Sequence, residues 1–263
     1  MPTVDEVAAA VARIAPPELA EEWDNTGLLL GDPAAPVGRV MTCLTVTPES
    51  VAEAVSERAA MIVSHHPLPF RAVKEITTAT RDGDLLWRLA RAGVALYSPH
   101  TAFDSAPEGI NHQLAATLGL TPAGPLIPSA GDPAIGAGRF ADTPAGATAG
   151  GLARQAAEAL SPGGVRLVGD ETASVTRVGF ACGSGGSFLD AAIANRCDAL
   201  VTGEATFHTC LAAESAGVAL VLLGHYASER FAVEWLADRL ADDLPGVECW
   251  ASRREHDPIR VVD

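Results

Sequence analysis

Six short runs of aliphatic residues constrain this chain more than any other feature: "GRVMTCLTV" (38–46), "MIVS" (61–64), "VALYS" (94–98), "RVGFACG" (177–183), "ALVTG" (199–203) and "VALVLLG" (218–224). Each is apolar along its whole length rather than at alternate positions, as in strands of parallel sheets covered on both faces. Each leads into a loop or a segment of helical spacing. After the first run, "PESVAEAVSERAA" (48–60) places Pro48 where a first helical turn accepts it and repeats apolar residues with helical period. The expected class is therefore α/β. With 263 residues, 48% of them hydrophobic, the chain can bury a substantial core in one large domain or two small ones, and disorder is excluded. The Pro- and Gly-rich segment 120–138 marks the expected boundary between two halves, 1–124 and 125–263.

Charge narrows the function classes. Eighteen Lys and Arg stand against 33 Asp and Glu, a net charge of -15, which repels phosphate backbones and anionic membrane surfaces and argues against a nucleic-acid partner. The five cysteines, Cys43, Cys182, Cys197, Cys210 and Cys249, are dispersed, form no Cys-x-x-Cys pair, and read as reduced core residues of a cytosolic protein. The N-terminal stretch carries acids early and lacks the basic start and apolar core of a signal peptide, and no run reaches membrane-spanning length. The expectation is a cytoplasmic protein.

The two halves echo one another. "VALYSPHTAFD" (94–104) and "VALVLLGHYASE" (218–229) share an opening Val-Ala-Leu, then a histidine, then an acid four places later, and "MIVSHH" has a counterpart in "ALVTGE". In open parallel sheets, ligands sit outside the carboxyl ends of strands. There the chain places His65 and His66, His100 and Asp104, Glu204, and His225 and Glu229. Several imidazoles with two or more carboxylates on rigid strand ends suit a divalent transition metal, and a pair of ions would need a bridging carboxylate, for which Asp104 and Glu229 are the candidates. Each element also has an ordinary explanation. Histidines cap strand ends, and His225/Glu229 or His100/Asp104 at i, i+4 make a common helical ion pair worth about 0.3–0.5 kcal/mol. The concentration of five of seven histidines at strand ends outweighs these, with only His112 and His256 reading as solvated residues.

Other motifs are less specific. "CGSGGSFLDAA" (182–192) places Gly183, Gly185 and Gly186 between a strand and a helix, as an anion-binding turn or simply a tight turn needing positive φ. In "EEWDNTGLLLGD" (21–32), Trp23 is expected in the core, while Asp24 and Asn25 cap a turn or line the crevice, the cap being preferred. Glu204 and His208, at i, i+4, are expected to support the metal site from behind. Arg71 and Lys74 follow the double histidine, as substrate-facing charges or as plain exposed basic residues.

Taken in order, "EEWDNTGLLLGD", "IVSHHPLPF", "SPHTAFDSAPEGIN", "LVTGEATFH" and "GHYASER" resemble the Nif-three-like family of dinuclear metal-centre proteins, many of whose members are labelled GTP cyclohydrolase I type-two homologues. The resemblance implies two similar α/β halves with mainly parallel sheets facing across a metal-binding crevice. The short connection around 120–140 leaves no room for the inserted middle domain of some relatives. It further implies two divalent transition metal ions (zinc, iron, manganese, nickel or cobalt), with ligands at His65, His66, Asp104, His225 and Glu229, and assembly into a toroidal homohexamer. His100 matches a family histidine beside the metals. The implied activity is metal-dependent hydrolysis of a small molecule, a nucleotide such as GTP among the candidates, with His100 or Glu204 moving the proton. The alternative is a non-catalytic metal-binding or regulatory protein.

Overall fold

All six aliphatic runs become strands, because fully buried neighbours on both sheet faces reward residues apolar on both sides. In the computed structural model, which describes residues 1–160 and 164–260, the elements follow in chain order. They begin α1 (Val4–Ile14), β1 (Gly27–Leu30), β2 (Arg39–Cys43), α2 (Pro48–Ser56), β3 (Met61–Ser64), α3 (Arg81–Ala92), β4 (Ala95–Ser98) and α4 (His100–Ser105). There follow α5 (Ile110–Thr117), β5 (Ile127–Pro128), β6 (Gly136–Ala137), β7 (Arg139–Asp142), α6 (Ala149–Leu160), β8 (Arg166–Val168) and β9 (Arg177–Ala181). The chain continues through α7 (Leu189–Ala194), β10 (Ala199–Thr202), α8 (Phe207–Ala216), β11 (Ala219–Leu222), α9 (His225–Asp243) and β12 (Glu248–Ala251). Pro48 occupies the first turn of α2, which opens with a capping box between Thr47 and Ser50.

The contacts divide the chain into one unit of Met1–Phe103 with Ala232–His256 and a second of Asp104–Phe231 with the terminal residues from Asp257. The Pro- and Gly-rich segment 120–138, which composition marks as a boundary, falls inside the second unit and carries the small β5–β6 pair. Composition registers turns, and here they serve that local hairpin.

The first unit has a five-stranded sheet of order β1-β4-β3-β2-β12, parallel except for β1. One face packs Met41, Cys43, Ile62 and Leu96 against Val51 and Ala54 of α2 and Leu85 and Leu89 of α3, all buried. The residues between them, Val40, Met61 and Val63, are fully buried as well. The second unit has the order β7-β9-β10-β11-β8, with β9, β10 and β11 parallel and both edge strands antiparallel. Phe180, Val201 and Val221 face α5 and α6 residues such as Leu114 and Leu152, and the alternate Leu200, Leu220 and Leu222 face Leu189 and Ala213 on the other side.

The sheets match strand for strand when β1-β4-β3-β2-β12 is laid beside β8-β11-β10-β9-β7. They differ only in the direction of the last strand. The sequence echo thus has a topological counterpart: His65 and His66 after β3 correspond to Glu204 after β10, and His100 after β4 corresponds to His225 after β11. In the second unit, Arg139 is buried and donates to the carbonyls of Gly136, Gly138, Ser105 and Ala106, while burial pulls its pKa down to about 10. It ties the start of β7 to the end of α4.

Candidate metal-binding residues

In the first unit the double histidine prolongs the β2–β3 ladder. His65 N donates to Cys43 O and His66 N to Leu44 O, at 2.9 and 2.8 Å. Two strand-end hydroxyls hold the carbonyls of the pair: Ser98 Oγ donates to His65 O at 2.6 Å, and Ser64 Oγ to His66 O at 2.8 Å. With the backbone so fixed, His65 is 1% exposed, and its ring centroid lies 5.0 Å from that of His66 and 5.2 Å from that of His100. One ring nitrogen from each of the three histidines lies within 4.8 Å of the others. That donor set fits a borderline transition metal, for which neutral imidazole is a preferred ligand.

His100 begins α4 with φ of 28°, in the left-handed region that costs a non-glycine residue on the order of 1–3 kcal/mol. Asp24 over-determines that conformation. Its carboxylate, 1% exposed, pairs with His100 Nδ1 at 2.7 Å and accepts from both the backbone N–H (3.1 Å) and the hydroxyl of Thr101. Desolvation pushes the Asp24 pKa up, but hydrogen bonds from His100 and Thr101 and the His100 charge outweigh it and hold the group down at about 2. Asp24, preferred from its sequence as a local turn cap, instead lines this group of histidines and orients His100.

A depressed carboxylate pKa contributes stability that is present above the unfolded value of 3.8 and lost as pH falls through about 2. The difference corresponds to roughly 2 kcal/mol. Asp24→Asn is expected to lose about that amount at neutral pH and to flatten the acid limb of a denaturation series between pH 5 and pH 2. An unchanged acid limb would refute the assigned ion pair.

Trp23 is a correction to the sequence reading. It is 63% exposed, its ring 6.1 Å from that of Phe70 and 6.2 Å from that of His100. Asp24 takes the inward position and Asn25 Nδ2 donates to Pro69 O at 2.7 Å, so the neighbouring indole is turned outward. Arg71 and Lys74 are exposed.

In the second unit, α9 starts with His225, and its fifth residue, Glu229, is 4% exposed. His225 Nε2 lies 3.1 Å from Glu229 Oε2, and Nδ1 lies 3.4 Å from Glu204 Oε2. The Glu229 hydrogen bond, followed by the charges of Glu229 and Glu204, raises the His225 pKa to about 9 against the opposing effect of burial. Asp104 Oδ1 accepts from Cys182 Sγ at 3.4 Å. Burial, then the nearby Asp104 and Glu229 carboxylates, push the Cys182 thiol well above its ordinary pKa, so it stays protonated beside them. Asn111 fastens the same corner, its Oδ1 accepting from Cys182 N at 2.8 Å and its Nδ2 donating to Asp104 O at 3.0 Å.

The glycine-rich turn is explained by close approach. Gly183 has φ of 56°, and a Cβ there would stand 2.2 Å from Glu229 Oε1. At Gly185 and Gly186 a Cβ would press on Ala181 and Ala205, at 2.6 and 2.9 Å.

Thus His65, His66 and His100 come together in the first unit, and Glu204, His225 and Glu229 in the second. His208, expected behind the site, is instead exposed on α8 with its ring against Phe207. His112, expected in solvent, is half-buried, and burial lowers its pKa. None of the five cysteines forms a disulfide among the described residues, and of the five only Cys43 and Cys197 are buried. Cys182 and Asp24 carry site contacts that spacing alone did not reveal. No helix among the described residues is long and apolar enough to cross a membrane.

Known proteins resemble this chain in sequence and in fold. A protein of Streptomyces coelicolor named GTP cyclohydrolase 1 type 2 homolog is 35% identical over 234 residues, covering 87% of this chain and 82% of its own. The Schizosaccharomyces pombe protein named NIF3 homolog is 32% identical over 225 residues, covering 81% and 80%. Among solved structures, a Bacillus cereus protein related to NIF3 superposes with a TM-score of 0.91 over 99% of both chains at 22% identity. The Staphylococcus aureus hypothetical protein SA1388 gives 0.90 over the full length of both at 25%. The model of Duf34/NIF3 (NGG1p interacting factor 3) matches residues 2–258, and the chain belongs to that family.

Proposed function

We propose that this protein binds two divalent transition metal ions through His65, His66, Asp104, His225 and Glu229, and that it is a metal-dependent hydrolase of the GTP cyclohydrolase type-two-like class. The observation that carries the reading is the convergence of three imidazoles at the carboxyl ends of adjacent parallel strands, one ring nitrogen of each within 4.8 Å of the others, with His65 and His66 as ligands and His100 beside them. A pair of such ions would lower the pKa of a bound water toward neutrality and polarise the bond to be cleaved. The chain's own part is to hold and orient. Asp24 fixes His100 through Nδ1, and Glu204 holds His225 through its Nδ1. His100 or Glu204 moves the proton to the leaving group. With GTP as substrate, hydrolysis at C8 would open the imidazole ring of the purine and release formate, in keeping with the name carried by the Streptomyces relative. The net charge of -15 opposes a triphosphate, so a less charged small molecule is an equal candidate.

A second reading, a non-catalytic metal-binding or regulatory protein, is favoured by the description of the family model as an interacting factor. A homo-oligomer, a toroidal hexamer, is proposed with either reading, and light scattering on the purified chain tests it.

The deciding experiment is metal content per chain on protein purified without an affinity tag, followed by formate release from GTP in the same preparation. The expected result is about two transition metals with formate release. Two metals without formate would remove GTP as substrate and favour the second reading or another substrate, and no metal after reconstitution would overturn the site.

A further inference from the structure

The segment that follows β12 is fastened by one buried carboxylate and presents another. Glu53, on α2 and 2% exposed, accepts from Ser252 Oγ at 2.7 Å, from the backbone N–H groups of Arg253 and Arg254 at 3.0 and 3.1 Å, and from Trp250 Nε1 at 3.3 Å. Ser252 N also donates to Thr42 O at 2.7 Å, extending the β2–β12 ladder. With the backbone held there, Glu255 spans two successive peptides at the carboxyl end of β2: Oε2 accepts from Leu44 N at 2.9 Å and Oε1 from Thr45 N at 2.6 Å. The side chain of that same Thr45 meets the double histidine, its Oγ1 lying 2.7 Å from His66 Nδ1.

The geometry points to Glu255 and Thr45 as positioning residues for His66, with Thr45 Oγ1 accepting the Nδ1 proton and so leaving the lone pair on Nε2. The inference rests on the metal-binding reading given above only for its purpose. An imidazole that ligates through Nε2 must be neutral and carry its proton on Nδ1, and an acceptor at Nδ1 fixes both the tautomer and the ring orientation. A hydroxyl does this only if its own backbone is held, and the bidentate Glu255 carboxylate, a charge-assisted acceptor for two N–H groups, holds it. The purpose explains why a carboxylate 210 residues away in sequence closes on this strand end, where a local cap would have satisfied the same two N–H groups.

The test uses the full chain with Thr45→Val, Thr45→Ser and Glu255→Gln, and two readouts. The first is the His66 tautomer in metal-free protein, from proton–nitrogen correlation spectra of the imidazole. The second is zinc affinity, by competition with a chromophoric chelator. Wild type and Thr45→Ser are expected to show the Nδ1–H form. Thr45→Val is expected to lose it and to bind zinc about 10- to 100-fold more weakly, the range typical of such supporting contacts. Glu255→Gln turns one acceptor into a donor facing a peptide N–H and is expected to weaken zinc binding in the same direction, by less. An Nε2–H form in the wild type, or a Thr45→Val protein with unaltered tautomer and zinc affinity, would overturn the assignment. If the wild type binds neither zinc nor iron, manganese, nickel or cobalt, the metal-binding reading fails, and the tautomer in the metal-free protein still decides the role of Thr45.

Discussion

Alanine at His65 or at Glu229 is expected to strip bound metal while leaving the circular dichroism of the folded chain unchanged. His65 belongs to the three-imidazole group of the first unit, and Glu229 is the buried carboxylate of the second, against which Gly183 has no room for a side chain. Elemental analysis after dialysis should find the content reduced from about two ions per chain by at least one, and retention of both ions in either variant would refute the ligand assignment. Glu229→Ala has a second consequence that needs no metal. In the metal-free protein the Glu229 hydrogen bond raises the His225 pKa to about 9 from an ordinary 6.5. A raised histidine pKa contributes stability that is complete below about 6.5 and disappears as pH rises through about 9. The metal-free wild type should therefore lose melting temperature between pH 7 and pH 9.5 more steeply than the variant. Parallel curves would mean that the His225–Glu229 pair contributes nothing to folding.

Glu53→Ala is expected to be the most destabilising substitution outside the ligand set, at about 3–5 kcal/mol. The residue is 2% exposed, and its removal leaves the indole N–H of Trp250, the Ser252 hydroxyl and two backbone N–H groups without their buried acceptor. Each unsatisfied buried donor costs about 1–3 kcal/mol, with partial relief where water enters. Burial pushes the Glu53 pKa up, but the hydrogen bonds from Arg253, Ser252, Arg254 and Trp250 outweigh it and leave the group below its ordinary 4.5. Its contribution is therefore present above pH 4.5 and lost on acidification. The measurement is a urea series at pH 7 and at pH 4, expecting a lower midpoint with an unchanged slope at pH 7 and a narrowed gap between variant and wild type at pH 4. Wild-type stability in Glu53→Ala would show that β12 and the segment after it are held by strand pairing alone. Glu53→Gln keeps the volume and one acceptor oxygen and should fall between the two.

The residues that the sequence placed correctly are those whose position follows from local periodicity. Aliphatic runs at 61–64, 95–98, 199–202 and 219–222 could satisfy their side chains only as strands buried on both faces, and the polar residues directly after them had to stand at strand ends. That put His65, His66, His100, Glu204 and His225 where they are found. It also made the match between the halves legible, as a repeat of strand, histidine and acid. Trp23 shows the limit of that logic: an aromatic beside an apolar run reads as core, yet the inward place went to its polar neighbour Asp24 because His100 and Thr101 offered it three hydrogen-bonding partners.

What only the tertiary structure decided is which groups hold the candidate ligands in place. Asp24 reaches His100 across 76 residues, Cys182 reaches Asp104 across 78, and Glu255 reaches Thr45, and through it the neighbourhood of His66, across 210. Strand and helix periods of about 2 and 3.6 residues describe which face a side chain takes, and they carry no information about which distant strand end is packed beside it. By itself the sequence therefore determined the fold class and the positions of the site histidines. The orientation of His100 and the raised pKa of His225 were decided by contacts that exist only after the chain has folded, because a buried polar group must be paired by whatever the completed packing brings within hydrogen-bonding distance.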